Sequence, residues 1–255
     1  MNTFDNASSH SGSGTNGVVE ELRKCGFKGQ IQVLSRETTQ PFDRTKLSKA
    51  LIGDLSKIAW RSPKFYENAG IEMIKDEATS IDFSSKKVST ASGKTYDYTK
   101  LVLAPGGHPK SLPLDGLKEG ELENVFILRS LVHTQAINAA LGDSSKKVVV
   151  IGSSFIGMEV ANCIAGMEAK HDVTVVGMDK VPTEAIFGEK IGRTFQSLLE
   201  KNGVKFTMGA EVDGAKPKDG SKKVGSLHLK DGTVLDADLI IEGVGVGWVQ
   251  ASILN

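Results

Sequence analysis

The chain is poor in several things, and each scarcity closes off a class of function. It holds only two cysteines, Cys25 and Cys163, far apart and in no CxxC or Cys-His spacing. That argues against a disulfide framework and a zinc site, and leaves both cysteines expected as buried, unpaired thiols on helices. The longest apolar runs, such as 148–151 and 239–241, are far too short to span a bilayer. Lys plus Arg and Asp plus Glu both number 31, so the formal net charge is zero. No electrostatic footprint for nucleic acid or a membrane surface results. The N-terminus is polar, with no apolar signal core and no Arg-rich presequence, which makes a cytoplasmic location the expectation. What remains is an ordinary globular composition, 39% hydrophobic and 24% charged over 255 residues, enough for one large domain or two modest ones.

The strongest organising signal is an internal repeat. Residues 70–106 and 203–245 share their order of apolar runs, turns and glycines: Gly93 matches Gly232, Asp97 matches Asp236 and Gly106 matches Gly245. Each copy reads as a strand, a short antiparallel ribbon turning at Ser-Gly or Asp-Gly, and an apolar strand ending in glycine. A Gly-rich turn, a helix and a further strand precede each copy. The pattern predicts an α/β fold of two tandem Rossmann-like dinucleotide-binding units, each with a small antiparallel β-ribbon.

In the second copy "KVVVIGSSFIGMEVANCIAG" runs from a buried strand through a turn into a helix. A dinucleotide turn uses its first glycine for the tight bend, its second to admit the pyrophosphate and its third for close helix–strand packing, with phosphate at the helix N-terminus. Gly152 and Gly157 keep the outer positions, and Ser154 replaces the middle glycine with a small side chain able to donate to phosphate. Asp179 follows the next strand, "DVTVVG", at the spacing of a ribose-binding acid, about 20 residues on.

The N-terminal copy is less orderly. Gly12, Gly14 and Gly17 spell GxGxxG, and Glu37 closes the strand "IQVLSRE" where a ribose carboxylate belongs. The stretch before the turn, "MNTFDNASSHS", is neither apolar nor β-rich, so a first strand is expected to be missing. Aligning the helix through "EELRKCGF" puts His10, Gly12 and Thr15 at the glycine positions instead, and both registers remain open.

Five segments, "PFDRTKLSKAL" (41–51), "KLVLAPGGHPKSLPLDG" (100–116), "VFILRS" (125–130), "VVVIGSSFIGMEVA" (148–161) and "DLIIEGVGVG" (238–247), together resemble the pyridine nucleotide-disulfide oxidoreductase superfamily. The branch most similar is that of the apoptosis-inducing-factor-like flavoproteins, whose relatives include ferredoxin and rubredoxin reductases. The resemblance implies an FAD domain interrupted by an NAD(P)H domain, with hydride passing from nicotinamide to flavin and electrons on to an acceptor. It divides the chain into a partial FAD-binding domain (1–112), an NAD(P)H-binding domain (113–247) and a return towards the FAD domain (248–255). It puts Gly12 or Gly14 at the FAD pyrophosphate, Glu37 on the FAD ribose, Arg44 and Lys49 on the flavin side, Ala78 at the adenine through its backbone, and Gly106 and Arg129 against FAD. In the other domain, Gly152, Ser153, Ser154, Phe155, Ile156 and Gly157 would hold the pyrophosphate and Asp179 the ribose hydroxyls. Gly245 would lie beside the nicotinamide, and Glu159 would point towards the flavin and pair with a partly buried Lys49. Hydride transfer between stacked rings requires no general acid or nucleophile, so Lys49 and Glu159 are the candidate catalytic pair.

Departures from the family pattern carry equal weight. Pro105 replaces the threonine of the usual Ala-Thr-Gly and removes an N–H. Gly177 stands where many NADH-using relatives carry Glu, leaving Asp179, and no arginine follows to grip a 2′-phosphate; the reading leans to NADH over NADPH. No cysteine pair lies near "TTQPFDRTKLSKAL", which argues against dithiol chemistry. His108 reads as an exposed loop histidine. Two function classes follow: an FAD-dependent NAD(P)H oxidoreductase that binds small-molecule nucleotides and passes electrons to an unidentified acceptor, an electron-acceptor protein being one partner, or a non-catalytic nucleotide-binding module with an incomplete flavin site. A homo-oligomer is one way to cover apolar faces in the second case, and a mitochondrial location is the alternative the relatives suggest.

Overall fold

A computed structural model describes residues 4–8, 12–37 and 39–248, excepting the side chains of 4–8 and of Trp248. In chain order the first half forms β1 (Phe4–Ser8), α1 (Ser13–Lys24), β2 (Ile31–Ser35), α2 (Thr45–Lys49), α3 (Pro63–Asn68), β3 (Ile71–Lys75), β4 (Ala78–Asp82), β5 (Lys87–Thr90), β6 (Thr95–Asp97), β7 (Lys100–Val102) and β8 (Gly107–Pro109). The second half forms β9 (Val125–Ile127), α4 (Leu131–Leu141), β10 (Lys147–Ile151), α5 (Phe155–Ala165), β11 (Asp172–Gly177), α6 (Glu184–Lys201), β12 (Lys205–Met208), β13 (Val212–Pro217), β14 (Val224–Leu229), β15 (Val234–Asp236), β16 (Leu239–Glu242) and β17 (Val246–Trp248). The chain divides into two compact units. The first runs to Arg44, includes Asp54–His108 and resumes at Gly247; the second combines Thr45–Gly53 with Pro109–Val246.

Each unit is built on a parallel sheet, of order β3-β2-β1-β7 in the first and β12-β11-β10-β16-β9 in the second. The near-continuous apolar runs of β10 and β16 suit strands covered on both faces, which is where parallel strands sit. Val148, Val149 and Val150 are almost fully buried, as are Leu239, Ile240 and Ile241. Ribbons β4-β5-β6 and β13-β14-β15 attach in the same order to each unit. Their hairpins close alike, Gly93 N donating to Thr90 O at 2.9 Å and Gly232 N to Leu229 O at 3.0 Å. The repeat is thus a repeat of architecture.

One expectation is overturned. β1 is present, paired in parallel with both β2 and β7. Two flanking strands offer a full set of backbone partners, and that tertiary context outweighs weak β-propensity. Strand pairing also fixes the correspondence of the copies. Gln32 faces Glu72 and Thr174 faces Lys205, with β3 and β12 each entered just after a positive-φ glycine, Gly70 or Gly203. Counting on from Gln32 and Thr174, Ser35 corresponds to Gly177 and Glu37 to Asp179.

In the first unit, Val19, Ile31, Val33, Tyr66 and Ile71 form a core on one side of the sheet. Tyr66 donates its hydroxyl proton to Asn16 Oδ1 at 2.7 Å, and burial pushes its pKa up to about 12. In the second, Val149, Ile151, Val176 and Ile240 pack against Leu227 and Leu229 of the ribbon. Neither cysteine is a buried core thiol: Cys25 caps the end of α1 and is exposed, and Cys163 on α5 is half-buried, its pKa raised by that burial. No helix among the described residues is long and apolar enough to cross a membrane.

Candidate functional site

The turn between β10 and α5 is packed backbone to backbone. A Cβ on Gly157 would lie 1.9 Å from Gly152 O, and one on Gly152 (φ 108°) 2.4 Å from Gly243 O. Gly152 N donates to Val176 O at 2.8 Å and Gly243 N to Ile151 O at 2.7 Å, so the turn is clamped between β11 and the end of β16. Ser154 is the N-cap of α5, yet its side chain makes no capping bond. The first N–H groups of a helix have no intrahelical acceptor, and here Phe155, Ile156 and Gly157 supply them. Their partial positive charge suits an anion. Phe155 is exposed and stands edge to face with Phe187, ring centroids 5.8 Å apart. Ser153 is buried, and Asp179 is exposed beyond the end of β11. Gly245 (φ 113°) follows β16, its carbonyl accepting from Lys110 N at 2.9 Å.

The corresponding turn in the first unit places Gly12 at the N-cap of α1, also without a side-chain bond. Aligned by N-caps, Gly12 matches Ser154 and Thr15 matches Gly157, which is the His10–Gly12–Thr15 register. His10 itself lies outside the described residues. Gly14 and Gly17 fall within α1, and neither is required by packing: among the described residues a Cβ on Gly14 would meet only Ala104 Cβ at 3.7 Å, and one on Gly17 nothing within 4 Å. The literal GxGxxG is therefore a chance spelling inside a helix.

Glu37, just past β2, is held by Arg44 through two bonds, Arg44 Nη1 to Oε1 at 3.0 Å and Nη2 to Oε2 at 2.6 Å. Both side chains are 14% exposed, and Arg44 lies over the ring of Phe42 at 4.6 Å. A cleft of about 530 Å³ opens beside Glu37, lined also by Ser35, Thr39, Tyr66 and Met73. It reaches the carboxyl end of β2 and runs along β3 beside α3, and the carboxyl edge of an α/β sheet is where ligands collect. Ala78 is buried at the start of β4, opposite Thr90. Gly106 (φ 68°) follows β7, and His108 is exposed, within β8.

Lys49 and Glu159 meet within the second unit, Lys49 Nζ lying 3.0 Å from Glu159 Oε1. The short helix α2 packs on α5, and α4 holds the segment after it: Asn138 Nδ2 donates to Leu51 O at 2.8 Å and Gln135 Nε2 to Gly53 O at 2.9 Å. Ser48 Oγ donates to Glu159 Oε2 at 2.6 Å. The pair is less buried than expected, Lys49 being 55% and Glu159 27% exposed. Removing one partner therefore costs at most about 1 kcal/mol, the scale of surface pairs. Arg129 is half-buried just before α4, its backbone N donating to His133 Nδ1 at 3.2 Å.

Sequence reasoning missed Ser48, Gly243 and Glu242. Ser48 adjoins Lys49, and a five-residue helix offers no periodicity to read. Gly243 begins the "GVG" after β16, a visible signal. Glu242 is 3% exposed, accepting from Leu112 N at 2.9 Å and Ser111 Oγ at 2.8 Å. Burial raises its pKa.

The pyridine nucleotide-disulphide oxidoreductase family matches residues 11–253. The chain is 36% identical over 238 residues to apoptosis-inducing factor 3 of Mus musculus, covering 92% of this chain and 38% of that protein. It is 34% identical over 240 residues to rubredoxin-NAD(+) reductase of Pseudomonas putida, covering 92% of this chain and 60% of that one. Among solved structures, a ferredoxin reductase from Rhodopseudomonas palustris superposes with a TM-score of 0.87 at 30% identity, over 96% of this chain and 59% of that one. Putidaredoxin reductase in its covalent complex with putidaredoxin gives 0.89 at 28%, over 96% and 58%.

Proposed function

Because the chain belongs to the pyridine nucleotide-disulphide oxidoreductase family, we propose that it is an FAD-dependent NAD(P)H oxidoreductase, the first unit taking the flavin nucleotide and the second the nicotinamide nucleotide. The observation that carries the reading is the β10–α5 turn, where three glycine backbones close on one another and leave the helix N-terminus uncapped. That combination suits a pyrophosphate: the backbone approaches closely, and orphan N–H groups are oriented before the ligand arrives.

The residues of the first unit fit a flavin nucleotide. Gly12 caps α1 with nothing among the described residues within 4 Å of where its Cβ would be, leaving room for phosphate. Glu37 is engaged by Arg44, yet a carboxylate has about four acceptor sites, so it retains capacity for ribose hydroxyls. Bound FAD supplies a two-electron acceptor for hydride from the nicotinamide ring. The chain's own part is to bind, orient and set charge. Lys49 brings a cation whose position Glu159 and Ser48 hold, and such a cation favours added negative charge nearby.

The chain spans 38–60% of the length of these curated relatives. Several are reductases named for a small redox protein, rubredoxin or putidaredoxin, and a redox protein is accordingly the class of acceptor proposed. The test is to incubate the protein with FAD, desalt it and measure flavin per chain, then titrate NADH by calorimetry. Close to one flavin per chain with saturable NADH binding supports the reading. NADH binding with no retained flavin would leave a nucleotide-binding module, and binding of neither would overturn the proposal.

A further inference from the structure

In a dinucleotide-binding unit, an acid about 20 residues beyond the glycine turn takes the ribose 2′-hydroxyl of NADH, whereas a nearby arginine accommodates the 2′-phosphate of NADPH. Here β11 ends in Gly177. A Cβ at that position would lie 2.5 Å from Ser153 Oγ, 2.8 Å from Ser153 Cβ and 2.8 Å from Met208 Cε. The methionine end can swing away; Ser153 cannot. Its carbonyl accepts from Thr183 N at 3.0 Å, and the preceding Gly152 N is bound to Val176 O at 2.8 Å. Turn serine and strand glycine therefore interlock, and any side chain at 177 is excluded while Ser153 is there.

The first acid beyond the interlock is Asp179. It is exposed, its backbone carbonyl accepts from Gly209 N at 2.8 Å, and among the described residues no side chain pairs with its carboxylate. Its counterpart in the other repeat, Glu37, is by contrast 14% exposed and clasped by Arg44. An acid rooted in the strand end would be fixed and partly desolvated, whereas Asp179 acts from solvent.

Resting on the nicotinamide reading of this unit, we propose that Ser153 sets its dinucleotide specificity: by filling the space beside Gly177 it shuts out a strand-end carboxylate and leaves the choice between NADH and NADPH to the exposed charge of Asp179. Repulsion of a 2′-phosphate by such a charge works through water of high dielectric, so the preference for NADH is modest, roughly tenfold. It also fades with salt, because the screening length falls from about 30 Å at 0.01 M to about 3 Å at 1 M.

The experiment measures Kd for NADH and for NADPH by calorimetry, on the full chain at low and high salt. The proteins are wild type, Asp179→Asn, Gly177→Glu and the double variant Ser153→Gly/Gly177→Glu. Wild type should prefer NADH by roughly tenfold at low salt and approach equality at high salt. Asp179→Asn should bind both nucleotides about equally in either. Gly177→Glu should lose NADH affinity by at least about tenfold, and adding Ser153→Gly should restore it with a preference beyond about 100-fold, as expected of a fixed carboxylate. The inference is overturned by a large, salt-independent preference in wild type, by an Asp179→Asn variant with the wild-type ratio, or by a double variant no better than Gly177→Glu. If Gly177→Glu does not fold, Asp179→Asn and the salt series decide alone. A wild-type chain that binds neither nucleotide removes the nicotinamide reading itself, an outcome distinct from binding with the wrong ratio.

Discussion

At the scale of single residues, the β10–α5 turn depends on atoms that sit too close together for substitution. Gly157→Val would drive a branched side chain into Gly152 O, 1.9 Å from where the Cβ would stand. The expected result is loss of NADH affinity by more than about tenfold, worth about 1.4 kcal/mol, in a calorimetric titration; equal affinity in variant and wild type would contradict it. Glu242 allows a pH prediction. Its folded pKa is raised above the ordinary 4.5 by burial. The fold thus holds the proton more tightly than the unfolded chain does, and this stabilisation is complete below 4.5 and lost as pH rises through the folded pKa. Glu242→Gln imitates the protonated form. The wild type should therefore lose more stability than the variant as pH rises from about 4.5 through the folded pKa in urea titrations, and parallel curves would mean that burial does not perturb this carboxyl. Glu242 was not legible in the sequence, because an acid ending the run "LIIE" reads as the exposed edge of a strand. Gly152, Ser154 and Gly157 were legible, because a tight turn restricts residue type and the restriction repeats at known spacing.

At the scale of elements, what the sequence concealed lies where tertiary contacts override local preference. β1 has a polar, unpromising sequence and forms in the slot between β2 and β7. Asn6→Pro would remove a ladder N–H from a central strand, a position where proline is not found. Unit-one stability should fall sharply by hydrogen exchange, while NADH binding by the second unit changes little; unaltered protection in β2 and β7 would show that β1 does not sustain this sheet. α2 was equally obscure, since five residues carry no periodicity, although the motif "RTKLSK" pointed to Lys49 through family likeness. Its docking on α5 rests on Ser48 and Lys49 reaching Glu159. Glu159→Ala should cost at most about 1 kcal/mol of stability, since Lys49 is 55% exposed. A loss of several kcal/mol in chemical denaturation would mean that the pair is more buried in solution than this geometry implies.

For the whole molecule, the repeat was legible from glycine and turn spacing alone, and it proved to be one architecture built twice, two parallel sheets each with its three-stranded ribbon. The literal GxGxxG misled because a spelling carries no depth: Gly14 and Gly17 lie in a helix that would accept other residues, while the residue matching Gly157 by helix N-cap is a threonine. The central proposal is that the chain binds a flavin and a nicotinamide nucleotide and passes hydride from the second to the first. The most direct measurement is anaerobic addition of NADH to the FAD-loaded protein while its visible absorbance is followed. The account predicts bleaching of the flavin band, about one NADH consumed per flavin; a flavin spectrum that persists under saturating NADH and NADPH would contradict it.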